Sequence, residues 1–222
     1  MAKLREYEVV YWTHHSAAIE GNTLSLKETR VVLEGLTVGG KTLREHLEII
    51  DHRDAIEFLE NCVEQSTGLT EKMIRQIHYL VLKSSDPSQA GRYRTGQVLI
   101  AGGRHKPPTA LDVPVYVQEL LNEYNSLKMR GSHPVERAAW LHWRLVWIHP
   151  FTDGNGRTAR LLMNFSLMKD GFPPAVIEKR RRKQYLDALE VADTESNLSP
   201  FTLLIAKAVK DSLKRYVAAA ET

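Results

Sequence analysis

The chain has 222 residues, 43% of them hydrophobic and 26% charged, which is the balance of a globular domain with one sizeable core. A net charge of +3 is too mild to imply nucleic acid as a partner. One cysteine, Cys62, excludes an internal disulfide; no apolar run suits a signal peptide or a membrane span, so a cytoplasmic location is expected.

In chain order, Leu4 to Ile19 reads as a helix stopped by Gly21-Asn22, with Ser16 and Glu20 four apart on one face. Ser25 and Glu28, at capping-box spacing, open a second helix to Leu36. Gly35-Leu36-Thr37-Val38-Gly39-Gly40-Lys41-Thr42 then satisfies the phosphate-loop pattern G-x-x-x-x-G-K-[ST]. A true phosphate loop follows a buried strand. The charged residues before this one (Lys27, Glu28, Arg30, Glu34) argue for a plain loop between helices. Thr42 to Glu64 is amphipathic, and Thr70 caps a further helix with Ile74, Ile77, Leu80 and Val81 inward. His52, His78 and His142 lack mutual metal-ligand spacing and read as core or groove histidines.

Residues 86–108 are irregular and rich in Gly and Pro; within them Thr95 to Ile100, Ala101-Gly102-Gly103 and Arg104 to Lys106 read as a short hairpin. Asp112 to Lys128 reads as one helix with Pro114 near its start. Ser132 is the expected cap of the next, whose apolar stretch Val135 to Ile148 stops at Pro150. A well-buried helix begins near Asn155-Gly156 and runs to Lys169. The basic run Lys179-Arg180-Arg181-Arg182-Lys183 reads as a solvated helix start, and Ser199-Pro200 opens a last helix to about Val217. There is no internal repeat or linker, so 1–222 is read as a single domain.

The turn between the central helices, His149-Pro150-Phe151-Thr152-Asp153-Gly154-Asn155-Gly156-Arg157-Thr158-Ala159-Arg160, concentrates chemistry. Open N–H groups and the positive dipole end make a helix N-terminus an anion site, which Gly154 and Gly156 let an anion approach. Arg157 and Arg160, three apart, project from one face and suit a polyphosphate. Asp153 is an oxygen donor placed for a phosphate-bound Mg²⁺. His149 is a candidate general base.

HPFTDGNGRTAR resembles the signature of Fic-domain proteins, H-x-F-x-[D/E]-G-N-G-R-x-x-R, with each of its eight fixed positions filled. Ser16-Ala17-Ala18-Ile19-Glu20-Gly21 resembles the family's inhibitory motif, [S/T]-x-x-x-E-[G/N], in the class that carries it on an N-terminal helix, here 1–24. The resemblance implies an all-α Fic fold with a small β-hairpin flap in 86–108 that docks a protein target by strand addition. It implies transfer of AMP from ATP, with Mg²⁺, to a Ser, Thr or Tyr hydroxyl, and self-modification. His149 would be the base, Asp153 the metal ligand, and Gly154, Asn155, Gly156, Arg157 and Arg160 the phosphate ligands. Tyr185 would lie near the adenine. Glu20 would pair with Arg160 as inhibitor and could align a water to remove AMP. Neither nucleic acid nor membrane is expected as a partner, and a homodimer is left open. The alternatives are a phosphotransferase of the same fold and a nucleotide-sensing module without catalysis; the intact glycines disfavour the first and His149 the second.

Overall fold

A computed structural model describes residues 2–100 and 103–220, and ten α-helices with two short 3₁₀ turns carry the fold; no strand occurs among the described residues. The helices are α1 (Ala2–Ile19), α2 (Leu26–Leu33), α3 (Leu43–Glu64), α4 (Glu71–Leu82), α5 (Val113–Tyr124), α6 (Leu127–Gly131), α7 (Pro134–Ile148), α8 (Asn155–Lys169), α9 (Arg182–Glu195) and α10 (Ser199–Ala220). No helix among the described residues is long and apolar enough to cross a membrane.

The α7–α8 pair is the centre. Helix α8 is buried on every side from Thr158 to Leu167, which is why its sequence shows little amphipathic contrast. One core joins α7 and α8 to α1, α3, α4 and α5 through residues such as Ile56, Ile74, Leu141 and Phe165. A second, on the opposite flank, packs Met163, Phe201, Leu204 and Ile205 between α7, α8, α9 and α10. The loop joining α7 to α8 is thus held between two cores, the rigid mounting a catalytic turn needs. Ala17, Leu24, Val32 and Ile49 form a smaller cluster that fastens α1 and α2 to α3.

Local chemistry accounts for the helix starts. Ser25 with Glu28, and Thr42 with Glu45, form complete capping boxes, and Thr70 accepts from the Met73 N–H. Two boundaries differ from the sequence reading. The helix expected over 112–128 is two, because Asn125 turns its amide onto the Leu121 carbonyl and Ser126 caps α6; such side-chain bonds compete with the helix ladder. His133, rather than Ser132, caps α7, its Nδ1 accepting from the Val135 N–H, while the Ser132 hydroxyl is spent on the Met129 carbonyl.

The hairpin expected over 95–106 is not formed among the described residues, and its turn residues Ala101 and Gly102 lie outside them. Side chains hold this stretch instead. The Arg94 guanidinium donates to the carbonyls of Gly96 and Pro108, and the Gln97 amide donates to that of Pro107. The basic run is also more than solvated surface. Arg181 pairs with Asp211, and Arg182 donates to the Ile19 carbonyl at the end of α1.

Candidate active site

His149 ends α7 in the left-handed region (φ 48°, ψ 59°), which swings its ring out of the helix direction. Its Nδ1 faces the Val146 carbonyl at 3.3 Å, so the proton is assigned there and Nε2 keeps its lone pair. Burial pushes the imidazole below its ordinary pKa, and the ring stands as a neutral base at neutral pH. Its carbonyl is fixed by Arg94 Nε at 2.8 Å, while the Arg94 N–H donates to the Pro150 carbonyl at 3.0 Å.

The turn is braced from within and from below. Asn155 closes it by accepting from the Phe151 N–H (3.0 Å) and donating to the Phe151 carbonyl (2.8 Å), so its amide shapes the loop. His78 lies flat against Phe151, ring centroids 3.6 Å apart, and its Nε2 reaches the Asp153 carbonyl at 3.0 Å. Because His78 Nδ1 accepts from the Gly91 N–H, Nε2 carries the donated proton; burial lowers the pKa of this ring to about 4. Gly154 caps α8 at φ +76°, and a Cβ there would crowd the His78 ring. No side chain caps α8, which leaves the N–H groups of its first turn open to an anion. The Gly154 N–H itself donates to Asp153 Oδ1 at 2.6 Å.

The two arginines stand in different environments. Arg157 is 3% exposed; its Nη2 meets Asp153 Oδ2 at 3.3 Å, while Nε and Nη1 have no hydrogen-bond partner. Buried guanidinium donors without acceptors are costly; the nearest carboxylate to Nη1 is that of Glu48, 4.0 Å away and beyond hydrogen-bond reach. Arg160, equally buried, is saturated. It donates to the Ser16 hydroxyl (3.0 Å), the Ser16 carbonyl (2.9 Å), Glu20 Oε1 (2.7 Å) and the Tyr185 hydroxyl (3.4 Å). Ser16 and Glu20 thus meet one guanidinium from the end of α1. A Cβ on Gly156 would collide with the Glu20 carboxylate and push it aside; the glycine's φ is helical, so the constraint is the placement of Glu20.

Tyr185 is almost wholly buried, with its hydroxyl between Arg160 and His142 Nε2. It reaches the site through Arg160, and in this conformation offers no open ring face to a base. Asp193, on the same helix, accepts from the Trp143 indole.

Asp153 is half-exposed and opens on a cavity of about 380 Å³ lined also by Glu20, Arg44, Glu48 and Arg157. Its carboxyl is held below the usual range: the Arg157 charge, the Gly154 N–H and Arg44 outweigh the opposing effect of burial. No cluster of three or more His, Cys, Asp or Glu able to hold a metal occurs among the described residues. One hard carboxylate beside free phosphate-binding donors fits a Mg²⁺ ion shared with a nucleotide.

Three contributors escape sequence reasoning: Arg44, whose Nη2 lies 3.1 Å from Asp153 Oδ2, together with His78 and Arg94. The phosphate-loop look-alike reaches the rim of the Asp153 cavity only through Thr42, and its polar groups are already engaged. Lys41 donates to the carbonyl and hydroxyl of Thr23, and Thr42 is spent as the cap of α3.

Comparison with known proteins places these features in context. A model of the Fic/DOC family matches residues 68–167. The chain is 41% identical to protein adenylyltransferase fic-1 of Caenorhabditis elegans over 99% of its own length and 43% of that protein's. It matches a solved fragment of C. elegans Fic-1 with a TM-score of 0.88 and 38% identity, covering 96% of this chain and 63% of that one. A Fic-domain signalling protein from Bacteroides thetaiotaomicron matches with a TM-score of 0.86 and 28% identity, over 96% of this chain and 88% of its own. The chain spans less than half the length of the curated relatives it matches.

Proposed function

The chain belongs to the Fic/DOC family, and from that premise we propose that it transfers AMP from ATP to a hydroxyl side chain of a protein target. The observation that carries this reading is the juxtaposition of a neutral base with an open anion site. His149 Nε2 is free beside a helix N-terminus and a buried guanidinium with two unused donors.

His149 Nε2 takes the proton of the attacking hydroxyl as the new oxygen–phosphorus bond forms, and the bond between the α- and β-phosphates breaks to release pyrophosphate. Open N–H groups at the start of α8 hold the α-phosphate in line, and Arg157 directs its free donors to the phosphates. Asp153 would hold a Mg²⁺ ion that arrives with the nucleotide and neutralises charge on the leaving pyrophosphate. Arg160 would be the remaining phosphate ligand, and its pairing with Glu20 supports reading that contact as inhibitory. Among the described residues the backbone of 95–100 and 103–106 pairs with no strand, and the groups not already bonded to Arg94, Glu190 or one another could take up an extended target segment by strand addition.

A second reading of the same site concerns AMP removal. Glu20 bonds Arg160 through Oε1 alone and is 40% exposed, so its other oxygen is available to orient a water for hydrolysis of the phosphodiester. The test of the transfer reading is His149→Ala in a Glu20→Gly background. Transfer should fall by about 10²–10⁴-fold, with ATP affinity changed little because no phosphate contact is removed. Undiminished transfer would exclude His149 as the base.

A further inference from the structure

Arg44 sits in the first turn of α3, where a positive side chain opposes the helix dipole. It is retained there by two carboxylates: Nε meets Glu48 Oε1 at 3.2 Å and Nη2 meets Asp153 Oδ2 at 3.1 Å. Its side chain is 57% exposed at the mouth of the cavity that Asp153, Glu20 and Arg157 line. The guanidinium therefore bridges two carboxylates as a bound cation would, and it occupies the oxygen Asp153 would offer to a metal ion. Arg157 touches the same oxygen but is buried on α8 and cannot withdraw. Arg44 is more than half exposed and has water to turn into, so it can.

We propose that Arg44 is a built-in stand-in cation that competes with the nucleotide's divalent ion for Asp153, and so sets the metal concentration the site requires. Without a nucleotide, Arg44 neutralises the loop carboxylate and keeps the Asp153 turn in order. When a metal-bound nucleotide enters, the guanidinium leaves Oδ2 and remains on Glu48. Arg44 thus acts as a positioning residue, through Asp153, and takes no part in bond making. The inference rests on the reading of Asp153 as the metal ligand given above.

The test is a Mg²⁺ titration of fluorescent ATP-analogue binding, a readout independent of turnover, using the full chain in parent, Arg44→Gln and Arg44→Lys forms. An exposed ion pair contributes modestly, so Arg44→Gln should lower the half-saturating Mg²⁺ concentration about two- to fivefold. Arg44→Lys, which keeps the charge but not the forked geometry, should fall between the two. An unchanged midpoint in Arg44→Gln, with the parent clearly Mg²⁺-dependent, overturns this inference alone. So does weaker analogue binding at saturating Mg²⁺, which would make Arg44 a phosphate ligand. Analogue binding by the parent that ignores Mg²⁺ overturns the metal role of Asp153, and the role of Arg44 with it.

Discussion

Replacing Glu20 by glycine should release the enzyme, and the structure sets the size of the effect. The Glu20–Arg160 contact is a charge-assisted hydrogen bond of 2.7 Å with one partner buried and the other 40% exposed. Such bonds contribute about 1.5–3 kcal/mol; discounting for solvent on the Glu20 side leaves about 1–2 kcal/mol. At about 1.4 kcal/mol per decade, a lock of this strength would suppress the ATP-competent state about five- to thirtyfold. The variant should keep Arg160 in place, because the Ser16 hydroxyl and carbonyl and the Tyr185 hydroxyl still hold it. Self-labelling with ATP carrying a radioactive α-phosphate measures the release; Glu20→Gln, which keeps a neutral hydrogen bond, should give an intermediate rate. Arg160→Ala should not activate, since it removes a phosphate ligand together with the inhibitor's partner. Equal labelling by parent and Glu20→Gly, or activation by Arg160→Ala, would refute the reasoning.

Two further outcomes are expected. Because burial lowers the pKa of His149 below its ordinary 6.5, the imidazole stays neutral as pH falls through that value. The transfer rate of Glu20→Gly should hold there and decline only at lower pH; a midpoint at or above 6.5 in its pH–rate profile would contradict the assigned environment. Lys41→Ala should leave ATP affinity, measured by calorimetry, within about twofold of the parent, since Lys41 is spent on Thr23. A tenfold loss would restore the phosphate-loop reading of Gly35 to Thr42.

The turn from His149 to Arg160 was legible in the sequence because its chemistry is local: base, carboxylate, glycines and arginines fall within twelve residues. The spacing of Ser16 and Glu20 put them on one helical face, where both meet Arg160, and the helix starts at Ser25, Thr42 and Thr70 were written in their caps. What holds the turn was not legible. Arg44, His78 and Arg94 come from distant segments, and no local pattern distinguishes a histidine that stacks on Phe151 from one that fills the core. Two short segments flanking Ala101-Gly102-Gly103 suggested a hairpin, but the Arg94 and Gln97 side chains bond carbonyls at its two ends. At 132–133 two residues able to cap stand side by side, and the one next to Pro134 caps α7. Tyr185 was placed near the site by resemblance; its burial beneath Arg160 depends on how α9 packs against α7 and α10, which no single stretch encodes.

The central claim is that the bond broken lies between the α- and β-phosphates. The Glu20→Gly variant, incubated in parallel with ATP labelled at the α- or the γ-phosphate, tests it directly. Protein-bound label from the α position, none from the γ position, and loss of both the label and pyrophosphate release in His149→Ala are the predicted results. Label retained from the γ position would make the protein a phosphotransferase and contradict the account.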